Sequence, residues 1–322
     1  MNRKNEGEDL IRVGVSACVL GEKVRFDGQH KRDTYVVDVL GNYFEFVPVC
    51  PEVEVGMGVP RESVRLVGEP DKPRMVGRKS GKDWTDTMKD FTQKRLKHLE
   101  EENLSGYILK KDSPSCGMER VKVYTDKGMP SRKGKGFWGG ALTEFFPHLP
   151  VEEEGRLNDL KLRDNFVVRV FAYHRLQILF SGRFVRKEVI DFHTTHKYLM
   201  LAHNPEAYKT LGQLVADIKK YDPNEFKSEY SRMFMDGLCY KSTTRKNVNV
   251  LLHIMGFLKE HLTKQEKADI LEVIEGYRKE MIPLIVPLTL INHYIKKHNI
   301  DYILNQVYLN PHPKELMLRN HV

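Results

Sequence analysis

Near residue 147 the hydrophobic period of the chain changes, and that switch limits what the chain can fold into more than any other feature. Before it, short β-rich runs alternate with helical ones. Ile11–Ser16 (IRVGVS), Phe44–Val49 (FEFVPV) and 106–111 (GYILKK) are apolar runs that end in loop chemistry, as buried parallel strands do. Between the last two, 85–103 is amphipathic, with Met88, Phe91, Leu96 and Leu99 roughly on one stripe. The stretch 64–76 (VRLVGEPDKPRMV) predicts two short strands joined by a Pro-Asp turn at the domain edge, and 131–140 (SRKGKGFWGG) predicts a basic, glycine-rich loop that is mobile until a ligand orders it. Such alternation predicts an α/β doubly wound (Rossmann-like) N-terminal domain.

After FPHLPVEEEGRLND the period is helical almost to the end. Asn204 with Pro205 sets an N-cap and first helical position, and Thr263 with Glu266 is a capping box. The expected second half is an all-α helical C-terminal domain of six or seven helices. The expected domains are 1–150 and 151–322.

Of 322 residues, 40% are hydrophobic and 30% charged, the balance of a soluble globular protein. The most apolar stretch, 281–291, is broken by Pro283 and Pro287. It is well short of the ~20 residues a membrane span needs. Glu6, Glu8 and Asp9 precede the first apolar run, which does not suit a secretory signal, so the cytoplasm is the expected address. The net charge of +8 is shared by both halves and is compatible with an anionic partner such as nucleic acid.

Four cysteines lie far apart with no C-x-x-C pair, which argues against a disulfide framework. Three of them follow strand runs: Cys18, Cys50 and Cys116. In an open parallel sheet the loops beyond the carboxyl ends of the strands converge on one crevice, so distant thiols can meet there. Three thiolates suit an incomplete tetrahedral zinc site, or a 4Fe-4S cluster with one iron left open as a Lewis acid. They also suit three buried structural thiols. Glu52 stands two positions after Cys50, and Ser113 three before Cys116. Beside an apolar cluster surface, Glu52 would have a raised pKa and could move protons; the other reading is a capping or salt-bridging carboxylate. Cys239, in FMDGLCYKS, is expected to be a buried thiol. His193, His196 and His203 could share a helical face, either packing against other helices or holding a metal. The first strand leads into SACVLG and not G-x-G-x-x-G, which argues against a dinucleotide enzyme.

The runs VSACVLGEKVRFDGQHK, VCPEVEVGMGVPRE and KKDSPSCG, in that order, resemble the thiouracil desulfidase (TudS) family over roughly residues 10–147. The resemblance implies a small α/β domain holding a 4Fe-4S cluster through Cys18, Cys50 and Cys116, with Glu52 and Ser113 catalytic. Gln29 stands where a second glycine is expected. The helical half resembles the YbgA-like domain fused behind that module. Such fusions imply a RudS-type desulfidase acting on 4-thiouridine or 2-thiouridine in tRNA, in which the thione binds the open iron and hydrolysis yields uridine and sulfide. Glu52 would activate the water while Ser113 orients it. RNA contacts are expected from Arg163, Arg169, Tyr173, Arg175 and Lys197, and from Lys133 and Lys135, against the plainer reading of a solvated face. Rival functions are desulfidation of free thiouracil bases and non-catalytic sensing through an iron–sulfur cluster.

Overall fold

The computed structural model describes residues 10–125 and 128–320; Glu6, Glu8 and Asp9 lie outside them. The chain divides into two compact units, Met1–Asn158 and Asp159–Val322.

In the first unit, β1 (Ile11–Ser16), β2 (Phe44–Val49), β5 (Gly106–Leu109) and β8 (Val151–Glu153) form a parallel sheet in the order β2-β1-β5-β8. Val13, Val15, Ile108 and Leu109 are fully buried, as strands covered on both faces require. Gly14 is needed because a side chain there would run into the ring of Tyr107 on the neighbouring strand. The third strand ends at Leu109, two residues earlier than its apolar run suggests, and Lys110 and Lys111 turn into the loop that carries Cys116.

A second, mixed sheet has the order β4-β3-β6-β7, built from β3 (Val64–Glu69), β4 (Lys72–Gly77), β6 (Val121–Tyr124) and β7 (Pro130–Gly134). The hairpin β3–β4 turns at Pro70 and Asp71, as its sequence predicts. Helices α1 (Pro51–Glu54), α2 (Thr85–Glu101) and α3 (Phe137–Phe145) complete the unit. On α2, Met88, Thr92, Leu96 and Leu99 face inward at helical spacing.

The segment 131–140 is not a mobile loop. It is most of β7 and the first turn of α3, and its glycines serve close backbone approach. A side chain at Gly136 would collide with the Ser115 carbonyl, and one at Gly139 with the Cys116 carbonyl. In their absence Trp138 N donates to Ser115 O at 2.8 Å and Gly136 N to Gly117 O at 2.8 Å. This segment therefore braces the Cys116 loop.

The acidic run just past the expected boundary at 150 belongs to the first unit. Val151–Glu153 is β8, and Glu152, Glu153 and Glu154 are all buried. Glu152 accepts from Arg156 Nε at 2.6 Å, Glu153 from Met118 N at 2.9 Å, and Glu154 from Lys111 N at 2.8 Å while pairing with Lys110 Nζ. The last two hold the segment around Cys116 from behind.

The second unit is helical: α4 (Leu160–Ser181), α5 (Arg186–His203), α6 (Pro205–Ala216), α7 (Pro223–Cys239), α8 (Thr244–Leu258), α9 (Lys264–Arg278), α10 (Ile285–Lys297) and the short α11 (Asp301–Leu304). Asn204 accepts from Glu206 N and Ala207 N, and the Thr263–Glu266 capping box is complete, each cap stabilising its helix by about 1 kcal/mol. On α7, Phe226, Tyr230, Phe234 and Leu238 point into the core. Cys239 follows that stripe by one residue, about 100° around the helix, so it is exposed and not buried as its sequence suggests.

Candidate active site

Because β2, β1 and β5 are adjacent and parallel, their carboxyl ends share one edge, and Ser16 stands beside Val49 there. Cys18 sits in the 3₁₀ turn Ala17–Leu20 that follows β1. Cys50 is the N-cap of α1, directly after β2, and Cys116 lies in the loop after β5. All three line one cavity of about 340 Å³, together with Glu52, Arg61 and Ser113. Its wall also includes Arg25, Phe26, Lys31 and Lys111.

The thiols feel one another. Burial, with the neighbouring Cys50 adding, pushes the Cys18 thiol up to about 11. Burial also raises Cys50. Cys116 is raised well above its ordinary value, by burial first and then by Cys18, Cys50 and Glu52, against a hydrogen bond with Ser16. Without a compensating cation these groups keep their protons at neutral pH, so a bound metal must displace them. Among the described residues, no three His, Cys, Asp or Glu side chains could hold a single metal ion. Neither the three thiols nor His193, His196 and His203 form such a group. A 4Fe-4S cluster requires something different, since each iron takes its own thiolate and the sulfurs must stand apart around a cavity wall. Three soft donors lining one pocket fit that group.

Glu52 has two partners that its sequence neighbourhood does not show. Arg61 donates to Oε2 through Nε at 2.9 Å and Nη2 at 2.7 Å, and Ser115 Oγ donates to Oε1 at 2.8 Å. Both members of the ion pair are mostly buried, with side chains 14% (Glu52) and 6% (Arg61) exposed. Glu52 thus faces a guanidinium where an apolar wall was expected, which matches the salt-bridging alternative. The capping role falls to Glu54, which accepts from Cys50 N at 3.0 Å. Arg61 Nη1 also donates to Val24 O at 3.0 Å and Gly58 O at 2.9 Å, tying the loop after Cys18 to the Glu52 helix. Gln29 sits in that loop, where its N–H donates to Asp27 Oδ1 at 3.1 Å. It is not among the residues with positive φ, so no glycine is required there.

Ser113 Oγ accepts from Ser115 N at 3.2 Å and Cys116 N at 3.1 Å, folding the turn that presents the third thiol. Arg61 lies nine residues beyond Glu52 in the same quoted run, VCPEVEVGMGVPRE, but only the folded loop brings the two together.

Residues 13–154 match the family described as 2-thiouracil desulfurase. The uncharacterized protein YbbK of Bacillus subtilis (strain 168) is 32% identical over 151 residues, 45% of this chain and 97% of that protein. Through its first unit the chain belongs to the 2-thiouracil desulfurase family. A solved 4Fe-4S-dependent thiouracil desulfidase, TudS, is 30% identical and covers 48% of this chain and 97% of its own, at a TM-score of 0.38. The desulfurase match runs from β1 to just past β8, and so includes every residue of the cavity described above.

Beyond the desulfurase region, residues 197–313 match a family of unknown function, DUF1722. The uncharacterized protein YbgA of Escherichia coli (strain K12) is 28% identical over 165 residues, 51% of this chain and 98% of that protein. In this helical unit Arg163, Arg169, Tyr173, Arg175 and Lys197 are all at least half-buried. Arg175 Nη2 donates to Pro311 O at 2.7 Å, and burial pulls its guanidinium down to about 10. Lys197 lies 4.9 Å from the centre of the exposed Tyr302 ring. Lys133 and Lys135, in the desulfurase unit, are exposed. His196 and His203 are buried, and burial pulls them down to about 3 and about 4, as expected of neutral packing histidines. Among the described residues no helix is long and apolar enough to cross a membrane.

Proposed function

We propose that the chain removes sulfur from thiolated uridine in tRNA, converting C=S and water to C=O and hydrogen sulfide, with a 4Fe-4S cluster held by Cys18, Cys50 and Cys116. The observation that carries this reading is the single cavity in which the three thiols meet Glu52 and Ser113. When bound, the cluster supplies a soft, Lewis-acidic iron for a thione sulfur. Membership of the desulfurase family supports the same chemistry.

The remaining work falls to side chains. Arg61 occupies Oε2 of Glu52 with two hydrogen bonds, whereas Oε1 takes one, from Ser115, and keeps a lone pair. Glu52 Oε1 accepts a proton from the water that attacks the ring carbon, and returns it to the departing sulfur. The Ser113 oxygen is occupied by two backbone N–H groups, which leaves its own hydrogen to orient that water. Phe26, 39% exposed and backed by the Arg25 guanidinium 5.4 Å from its ring centre, offers a stacking face for the base. Lys31 and Lys111 stand exposed on the cavity wall with no ion pair among the described residues, and suit phosphate contacts.

The test is anaerobic reconstitution, with iron and sulfide counted per chain, followed by incubation with thiolated tRNA and, separately, free thiouracil. Uridine formed within the tRNA, with matching release of sulfide, supports the proposal. Conversion of the free base alone overturns the tRNA substrate. A loaded protein that converts neither overturns the desulfidase reading.

A further inference from the structure

The helical unit contains a cavity of about 310 Å³, formed by α10 and the turns after α11, and among the described residues no Asp or Glu lines it. Arg319 lines it and is itself only 8% exposed. Its guanidinium stands 5.0 Å from the centre of the Tyr308 ring, and Nη1 donates to Tyr308 O at 2.5 Å. Among the described residues its Nε is buried with no partner and no carboxylate lies within ion-pair distance. The buried carboxylate of Asp164, on α4, is engaged instead with His312 Nε2 at 3.4 Å.

A buried guanidinium with N–H groups to spare is costly unless an anion completes it, and its planar fork matches phosphate oxygens. Two more cations, Lys296 and Lys314, are exposed on the same wall and have no ion pair among the described residues. Ile285, Leu288 and Leu309 give the cavity an apolar side. Asn292, Asn310 and Asn320 add amides that can both donate and accept, as the edge of a heterocycle requires. A sugar phosphate would leave the apolar side uncovered. Arg175, by binding the Pro311 carbonyl, holds one rim in place.

We propose that this cavity binds a nucleoside monophosphate, with the phosphate on Arg319, Lys296 and Lys314 and the base against Ile285 and Leu288. The binding is separate from desulfidation and needs no metal in the first unit.

Isothermal titration of the full chain, in chloride buffer, with uridine 5′-monophosphate, uridine and inorganic phosphate tests it. The monophosphate should bind one per chain, phosphate should compete with it, and uridine should bind about tenfold or more weaker, since charge-assisted hydrogen bonds to the phosphate are missing. The double variant K296A/K314A, altered only at exposed positions, should melt like the parent and bind the monophosphate about tenfold more weakly. Cys50→Ala should bind it unchanged, which keeps this result apart from any failure of the desulfidase reading. Equal affinity for uridine, unchanged binding in K296A/K314A, lost binding in Cys50→Ala, or no heat from the monophosphate would each overturn the proposal. So would a polynucleotide that binds where monophosphate and phosphate do not.

Discussion

Glu52 is engaged on both oxygens before any substrate arrives, and the two partners differ in what they leave available. On the proposed mechanism Glu52→Gln removes both the base and the negative half of the pair with Arg61, so stability should fall and turnover per bound cluster should drop by about 10²- to 10⁴-fold. Parallel iron assays and single-turnover sulfide release check this, and retained turnover would remove Glu52 from the chemistry. Arg61→Met strands the Glu52 carboxylate in a mostly buried position. The expected cost is about 3–5 kcal/mol, read as a lowered urea midpoint. The thiols supply a pH signature. Unfolded, Cys18 ionises near its ordinary 9.0; folded, it keeps its proton to about 11. Its contribution to stability is therefore complete below 9.0 and is lost as pH rises through about 11, so melting of metal-free protein should decline over that window. Loading with metal should remove the decline, because the ligating thiols are then already deprotonated.

At the scale of elements, the strand ends position the donors and the glycine-rich hairpin and helix hold them there. Gly136→Ala forces a methyl group onto the Ser115 carbonyl and should displace α3 from the Cys116 loop. Overpacking of this kind costs about 1–3 kcal/mol. Thermal melts should show the loss, and reconstituted iron per chain should drop with it. The strands Ile11–Ser16 and Phe44–Val49, the hairpin and the helix caps were legible in the sequence because each is set by local pattern and capping chemistry. The role of 131–140 was not, because glycine for flexibility and glycine for close approach look alike until the opposing backbone is in place. The run Glu152–Glu154 was opaque for a similar reason: its partners Lys110, Lys111, Met118 and Arg156 are brought to it only by the fold. Arg61 and Ser115 were likewise hidden, since nothing in the spacing of nine and sixty-three residues marks them as partners of Glu52.

On the scale of the whole molecule, a desulfurase unit and a helical unit share one chain, and the excess of basic residues is spread over both. If tRNA is the substrate, its affinity should fall steeply and log-linearly with salt, because each phosphate contact releases counterions, while conversion of a free thiouracil base should barely respond. Filter binding and turnover across a salt series separate the two, and a flat tRNA response would argue against phosphate contacts. The cavity in the first unit also bears on biogenesis. Its walls come from residues near 18, 50 and 116, and the brace on the last of these is Glu153 and Glu154. A chain cut short before β8 would therefore carry all three thiols but lack the two carboxylates that hold the third from behind.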